Sequence, residues 1–333
     1  MKKILALLLA LWIPAAVLSG CAPQDDSAAS NKLNIVTTIF PAYDWVREIL
    51  GDETDRAEIT TLLDSGVDLH SYQPTVDDIV KISNCDLFLY VGGESDGWVE
   101  DALKNAPNKD RKVIRLLDVL GDSAKAEETV EGMQEEEHDH EEEEHDHEEE
   151  AEYDEHIWLS LKNAQVLVAA ISEALQETDP ARKDTYAANA AAYVEKLSAL
   201  DGEYRAAVDS GKYKALLFGD RFPFRYLADD YGLDYYAAFP GCSAETEASF
   251  ETVSFLAGKM DALGLPCVLT IEGTQHKIAE TIVQNTAQKN QQILTMDSMQ
   301  AVTANDASSG VSYLSIMEKN LFVLKKALGQ EAE

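Results

Sequence analysis

The chain predicts an α/β protein of two parallel-sheet lobes linked by one long rigid helix. Three observations carry that expectation. Strand-length, β-branched runs alternate with helical periodicity in both halves of the chain, the pattern of parallel sheets with right-handed crossovers. Between the halves lies an Ala-rich stretch with no proline after Pro180 and only one glycine, Gly202. The total length of 333 residues also exceeds what a single core holds, since cores stop growing near roughly 250 to 300 residues.

The N-terminal lobe is expected over residues 33–178. It opens with the strand LNIVTTIF and, after Pro41, a helix marked by Tyr43, Val46, Ile49 and Leu50 up to Gly51. The strand AEITTLL, a helix over Thr75 to Ser83, the apolar strand CDLFLYVG, a short helix near Trp98 to Lys104 and the strand KVIRLL follow. Residues 121–155 interrupt the alternation. Their almost wholly polar sequence has too little apolar surface to offset the entropy of ordering, so a mobile acidic, His-rich loop is expected there. Order resumes at Trp158 with a helix from Lys162 to Glu177. The spine helix is expected over 179–211, with Asp179 as N-cap and Pro180 as first helical residue. Tyr186, Tyr193, Leu197, Leu200 and Tyr204 mark its apolar stripe. A second α/β lobe over 212–329 takes in KALLFG, RYLADDYG, LDYYAAF, a helix from Ser249 to Leu263, PCVLTI, a helix from Lys277 to Gln288, QILTM and a last helix from Tyr313 to Leu328.

The formal net charge is −34, which opposes broad contact with nucleic-acid phosphates, so no nucleic-acid partner is expected. Residues 131–155 contribute 16 Asp or Glu and no Lys or Arg, leaving the rest of the chain moderately acidic. At the N-terminus Lys2 and Lys3 precede an apolar run from Ile4 to Leu18, followed by Ser19, Gly20 and Cys21. Residues 1–20 therefore read as a secretion signal. Leu18-Ser19-Gly20-Cys21 looks like a bacterial lipobox, with Cys21 as the lipid-modified residue. Residues 21–32 are a small, polar tether. Besides Cys21 there are Cys85, Cys242 and Cys267, with no CxxC pair. A Cys242–Cys267 bridge and buried free thiols both remain open.

Seven histidines, at 70, 138, 140, 145, 147, 156 and 276, stand in acidic or turn-rich surroundings, the donor set expected for zinc or another first-row divalent ion. His70, in Gly66-Val67-Asp68-Leu69-His70-Ser71-Tyr72-Gln73-Pro74-Thr75, follows a strand at the carboxyl edge of a parallel sheet, where α/β ligand sites form. His156, in Asp154-Glu155-His156-Ile157-Trp158-Leu159-Ser160, precedes a helix. The repeated triplets His138-Asp139-His140 and His145-Asp146-His147 suit a weak, unstructured collector of divalent ions.

These motifs together resemble the zinc and manganese substrate-binding lipoproteins of bacterial ABC importers, the high-affinity zinc uptake proteins in particular. Such proteins look like G-x-D-P-H-x-Y-x-P-T and D-P-H-x-W-L around two ligands, with a His- and acid-rich loop between. The likeness extends over nearly the whole mature chain, from the lipobox to LTMDSM and YLSIMEKNL. It implies the metal-type periplasmic-binding-protein fold, with His70 and His156 as ligands and Asp297 as the carboxylate ligand of the C-terminal lobe. Leu69 and Glu155 replace the usual prolines. Where the family carries a third His or Glu, Leu217-Phe218-Gly219-Asp220-Arg221-Phe222 places Gly219, which has no donor. Asp220, His276 and a water are the substitutes left open, and Asp220 joins His70, His156 and Asp297 as a candidate.

The resemblance implies a monomer that captures Zn²⁺, with Mn²⁺ as the second candidate, and passes it to an ABC permease while lipid-anchored on the extracytoplasmic face of the membrane. No catalysis is expected. A metal-dependent hydrolase is the rival from another class, although neither HExxH nor GxSxG is present. A surface adhesin that merely carries metal is the third reading.

Overall fold

Each half of the chain folds around a four-stranded parallel sheet, and both sheets have the same order: second strand, first, third, fourth. The computed structural model describes residues 32–104, 106–134, 152–243, 247–273 and 276–330. Cys21 with the signal and most of the tether, and the four histidines of the acidic loop, lie outside the described residues.

In the N-terminal lobe β1 (Leu33–Thr37) leads through α1 (Phe40–Leu50) to β2 (Ala57–Thr61), and α2 (Val76–Asn84) to β3 (Leu87–Tyr90). From there α3 (Val99–Lys104), β4 (Lys112–Arg115) and α4 (Leu116–Leu120) complete the alternation. β1 lies between β2 and β3, so the order reverses beside it, and the crevice at the carboxyl ends of these strands is where such sheets bind ligands. Thr75 starts α2 with a reciprocal capping box to Asp78, a contribution of about 1 kcal/mol that fixes the end of the His70 loop.

α5 (Leu161–Thr178) leads to the spine, α6 (Lys183–Ser210). At 1.5 Å per residue α6 is about 42 Å long. Its buried residues Tyr186, Ala190, Tyr193, Leu197, Leu200 and Tyr204 follow the apolar stripe of the sequence. The start differs from the expected proline-first helix. Pro180–Arg182 form a 3-10 turn, and the Asp179 carboxylate does not cap the helix but takes Arg182 Nη1 at 2.9 Å and Tyr186 Oη at 3.0 Å.

The C-terminal lobe runs β5 (Ala215–Arg221), α7 (Arg225–Tyr231), β6 (Asp234–Phe239), α8 (Phe250–Leu263), β7 (Cys267–Thr270), α9 (Lys277–Asn285) and β8 (Gln292–Thr295). After α10 (Ala304–Ser308), α11 (Tyr313–Ala327) returns to pack on α1 and α6. Tyr313 makes the join. Its ring meets Trp45 edge-on at 5.2 Å, its amide donates to Asp44 Oδ2 at 2.8 Å, and its hydroxyl donates to Trp158 O at 2.7 Å. The main core accordingly runs through both lobes and the spine, while a smaller one fills the outer side of the second sheet.

The start of the acidic segment also departs from expectation. Residues 121–134, read from composition as part of a mobile loop, are placed as a strap against the C-terminal lobe. The Gln134 amide donates to Ala238 O at 2.9 Å, extending the edge of β6, and Lys125 N donates to Tyr226 Oη at 2.9 Å. Ala126 pairs with Tyr153, where the chain re-enters the described structure. The polar sequence hides this because backbone hydrogen bonds, ion pairs such as Lys125–Asp229 and Lys259–Glu131, and the one buried side chain, Met133, hold the strap in place of an apolar stripe.

Candidate metal centre

His70 sits in a 3-10 turn, Leu69–Ser71, beyond the carboxyl end of β2, where the Asp68 carboxylate accepts its backbone N–H at 3.0 Å. His156 is fully buried at the start of the turn Ile157–Leu159, and its backbone N–H donates to Asp154 Oδ1 at 2.8 Å. Ser160 then caps α5 by accepting from Asn163 N, which anchors the turn to a rigid element. These caps hold both rings facing one another, with Nε2 to Nε2 at 3.2 Å.

The other ring nitrogens are taken. His156 Nδ1 lies 3.0 Å from Asp154 Oδ1, a pure acceptor when ionised, so Nδ1 carries the proton. His70 Nδ1 lies 2.9 Å from Ser95 Oγ and 3.4 Å from Glu155 Oε2. The Asp154–His156 pair fixes the His156 tautomer and turns its Nε2 lone pair toward His70, whose Nδ1 is engaged by the Ser95 hydroxyl. Burial, and after it the charge of His156, depress the His70 pKa to about 3, so this imidazole is neutral and ready to ligate at physiological pH. Glu155 approaches so closely that a Cβ on Gly93 would lie 2.1 Å from its Oε1, which requires glycine there.

A cysteine of the other lobe lies beside the pair. His70, His156 and Cys242 present ligand atoms that all lie within 4.8 Å of one another, the one such group among the described residues. Cys242 follows β6 as His70 follows β2, so equivalent positions of two sheets of identical order supply the histidine and the thiol. The turn passes close to His156, because a Cβ on Gly241 would lie 3.2 Å from its Nδ1 and 2.9 Å from Phe222 O. Glu127 of the strap accepts from Cys242 N at 2.8 Å. Burial, with the charges of Asp154 and Glu127, pushes the thiol pKa well up. Cys242 and Cys267 are both free, so the disulfide left open by the sequence is absent.

Of the sequence candidates, the structure brings His70 and His156 together and leaves Asp220 and Asp297 outside the group. Asp220 accepts from Arg221 N at 2.9 Å and Ile271 N at 3.4 Å, and burial raises its pKa. A side chain at Gly219 would meet the α9 backbone at Ala279, 2.6 Å from its Cα, so packing demands glycine at that point of β5. His276 starts α9 and is also outside the group. Asp297 accepts from Met299 N at 2.8 Å, and burial, reinforced by Glu272, raises its pKa to about 6. Its loop is tied to the His156 turn, since Trp158 Nε1 donates to Ser298 O at 2.9 Å. Sequence reasoning did not place Cys242 beside the two histidines. The available signal was a cysteine just beyond the second strand of the second lobe, preceded by Pro240 and Gly241.

The family model described as zinc-uptake complex component A, periplasmic (ZnuA), matches residues 35–327. The chain belongs to the ZnuA family. Among ZnuA relatives, the zinc-binding lipoprotein AdcA of Streptococcus pneumoniae is 34% identical over 99% of this chain, which spans 62% of the length of that protein. The high-affinity zinc uptake system protein ZnuA of Bacillus subtilis is 30% identical over 90% of this chain and 88% of its own. The crystal structure of the Zn(II)-bound ZnuA-like domain of pneumococcal AdcA superposes with a TM-score of 0.68 at 29% identity, covering 90% of this chain and all of that domain.

Proposed function

We propose that the protein captures a divalent metal ion, zinc before others, between its lobes and delivers it to an ABC permease. His70 Nε2, His156 Nε2 and the Cys242 thiolate are the donors, and an oxygen completes the shell. The observation that carries the proposal is the histidine pair. Two nitrogens bound to zinc at about 2.0–2.1 Å and separated by the tetrahedral angle stand about 3.3 Å apart. The structure holds them at 3.2 Å. At that distance two facing Nε2 atoms need a proton or a cation between them, since two bare lone pairs would repel one another.

The donor chemistry supports zinc over manganese. Imidazole and thiolate suit zinc, whereas manganese prefers carboxylates, carbonyls and water. Both AdcA and the Bacillus ZnuA are named for zinc. The role is transport, and no reaction is ascribed to the site. The same reading has Cys21 lipid-modified, as the lipobox and the name of the AdcA lipoprotein support, and the protein working as a monomer, since all three donors come from one chain.

Competitive zinc titration of the wild type and of His156→Ala, Asp220→Ala and Asp297→Ala against a chromophoric chelator tests the site. The reading requires one tight ion that His156→Ala abolishes. The two aspartate variants show whether either carboxylate supplies the oxygen.

A further inference from the structure

We propose that Arg221 is a positioning residue that couples the two ligand loops across the cleft and brings the Cys242 sulfur into the metal's shell. The proposal rests on the reading that Cys242 is a donor. Arg221 ends β5, where the register with β6 shifts between Phe218 and Arg221, an irregularity of the kind that re-aims a side chain. Its guanidinium spans the cleft. Nη2 donates to Asp68 Oδ2 at 2.5 Å, and Nη1 donates to Ser243 O at 3.3 Å. Asp68 uses its other oxygen to hold the backbone N–H of His70, and Ser243 directly follows Cys242. One planar group therefore connects the first histidine loop to the thiol loop, and the two belong to different lobes.

The geometry gives this connection something to do. A tetrahedral zinc with nitrogen at about 2.05 Å and sulfur at about 2.3 Å needs them about 3.6 Å apart. The three donors lie within 4.8 Å, so the sulfur has up to about 1 Å to travel, while the histidines already stand at zinc spacing. The Arg221 and Asp68 side chains are only 16% and 26% exposed, so the pair is sheltered from the screening that makes surface ion pairs weak. Two prongs in a fixed plane set both direction and distance. A lysine has a single ammonium and cannot span the same pair of acceptors.

The test uses the full mature protein with cadmium as a probe, because a cadmium–thiolate bond gives an ultraviolet charge-transfer band that imidazole does not. Arg221→Gln, Arg221→Lys and Asp68→Asn are expected to weaken zinc binding by about 10- to 100-fold, the usual cost of losing a group that orients a ligand. They should also lower the thiolate band per bound cadmium. Arg221→Gln combined with Asp68→Asn should be no worse than the weaker single variant, since both remove one connection. The Lys variant keeps the charge and guards against a loss that is only misfolding. Wild-type affinity in Arg221→Lys and Arg221→Gln overturns the proposal. So does weakened affinity with a full thiolate band at saturation and additive effects in the double variant, the result of a merely structural bridge. Absence of the band in the wild type overturns the Cys242 reading and the coupling together, whereas a wild-type band that persists in every variant overturns the coupling alone.

Discussion

His70 and His156, 86 residues apart, meet Nε2 to Nε2 at 3.2 Å, each with its Nδ1 held by an oxygen of its own neighbourhood. The spacing of the two nitrogens matches the bite of a tetrahedral zinc. An ion held by this pair would need little rearrangement of the two rings.

His70→Ala and His156→Ala should each weaken zinc binding by at least about a hundredfold, because either change leaves one imidazole and a thiol for an ion that needs more donors. Isothermal titration or chelator competition checks it. A dissociation constant within threefold of the wild type, in either variant, removes that residue from the site.

Zinc binding near pH 7.5 should release about one proton, and the proton should come from Cys242. His70 is already neutral there, while burial and the acidic neighbours keep the thiol protonated until the metal arrives. Calorimetry in buffers of different ionisation enthalpy counts the proton. Cys242→Ala should bind more weakly and release almost none, and unchanged release would assign the proton to another group.

Metal-free protein should lose stability as it is acidified from pH 6.5 toward pH 3, in part through His70. Its folded pKa lies near 3 against an unfolded value of 6.5, so in that window the unfolded chain binds the extra proton and stability rises with pH. The contribution is fully present above 6.5 and lost as the pH falls through the window. Urea unfolding of wild type and His70→Gln at a series of pH values should show a flatter acid limb for the variant. Parallel limbs would contradict the depressed pKa.

Cys21→Ala should leave the protein uncleaved or released from the membrane without changing its zinc affinity, since the residue precedes the folded lobes by a polar tether. Membrane fractionation together with titration of the soluble protein reads both. A processed variant that still partitions as a lipoprotein would refute the lipobox.

The alternation of periods made the two lobes legible, and the stripe from Tyr186 to Tyr204 made the spine so, because burial on one face imposes those spacings. His70 and His156 were legible because each stands in a local motif with its own cap. Cys242 was not. Its partners come from far along the chain, and one thiol beyond a strand carries no spacing to read. The strap over 121–134 was missed for a related reason, since backbone hydrogen bonds and ion pairs to the C-terminal lobe hold it and its side chains stay polar. At Gly219 the sequence signalled a missing donor, whereas the structure shows a contact with Ala279 that admits no side chain and a thiol from the next strand's turn beside the two histidines.

X-ray absorption at the zinc K edge of the zinc-loaded protein reads the ligand atoms themselves. A shell of imidazole nitrogens at about 2.0–2.1 Å with one sulfur at about 2.3 Å is expected, and loss of the sulfur in Cys242→Ser. A wild-type shell of nitrogen and oxygen alone would contradict it.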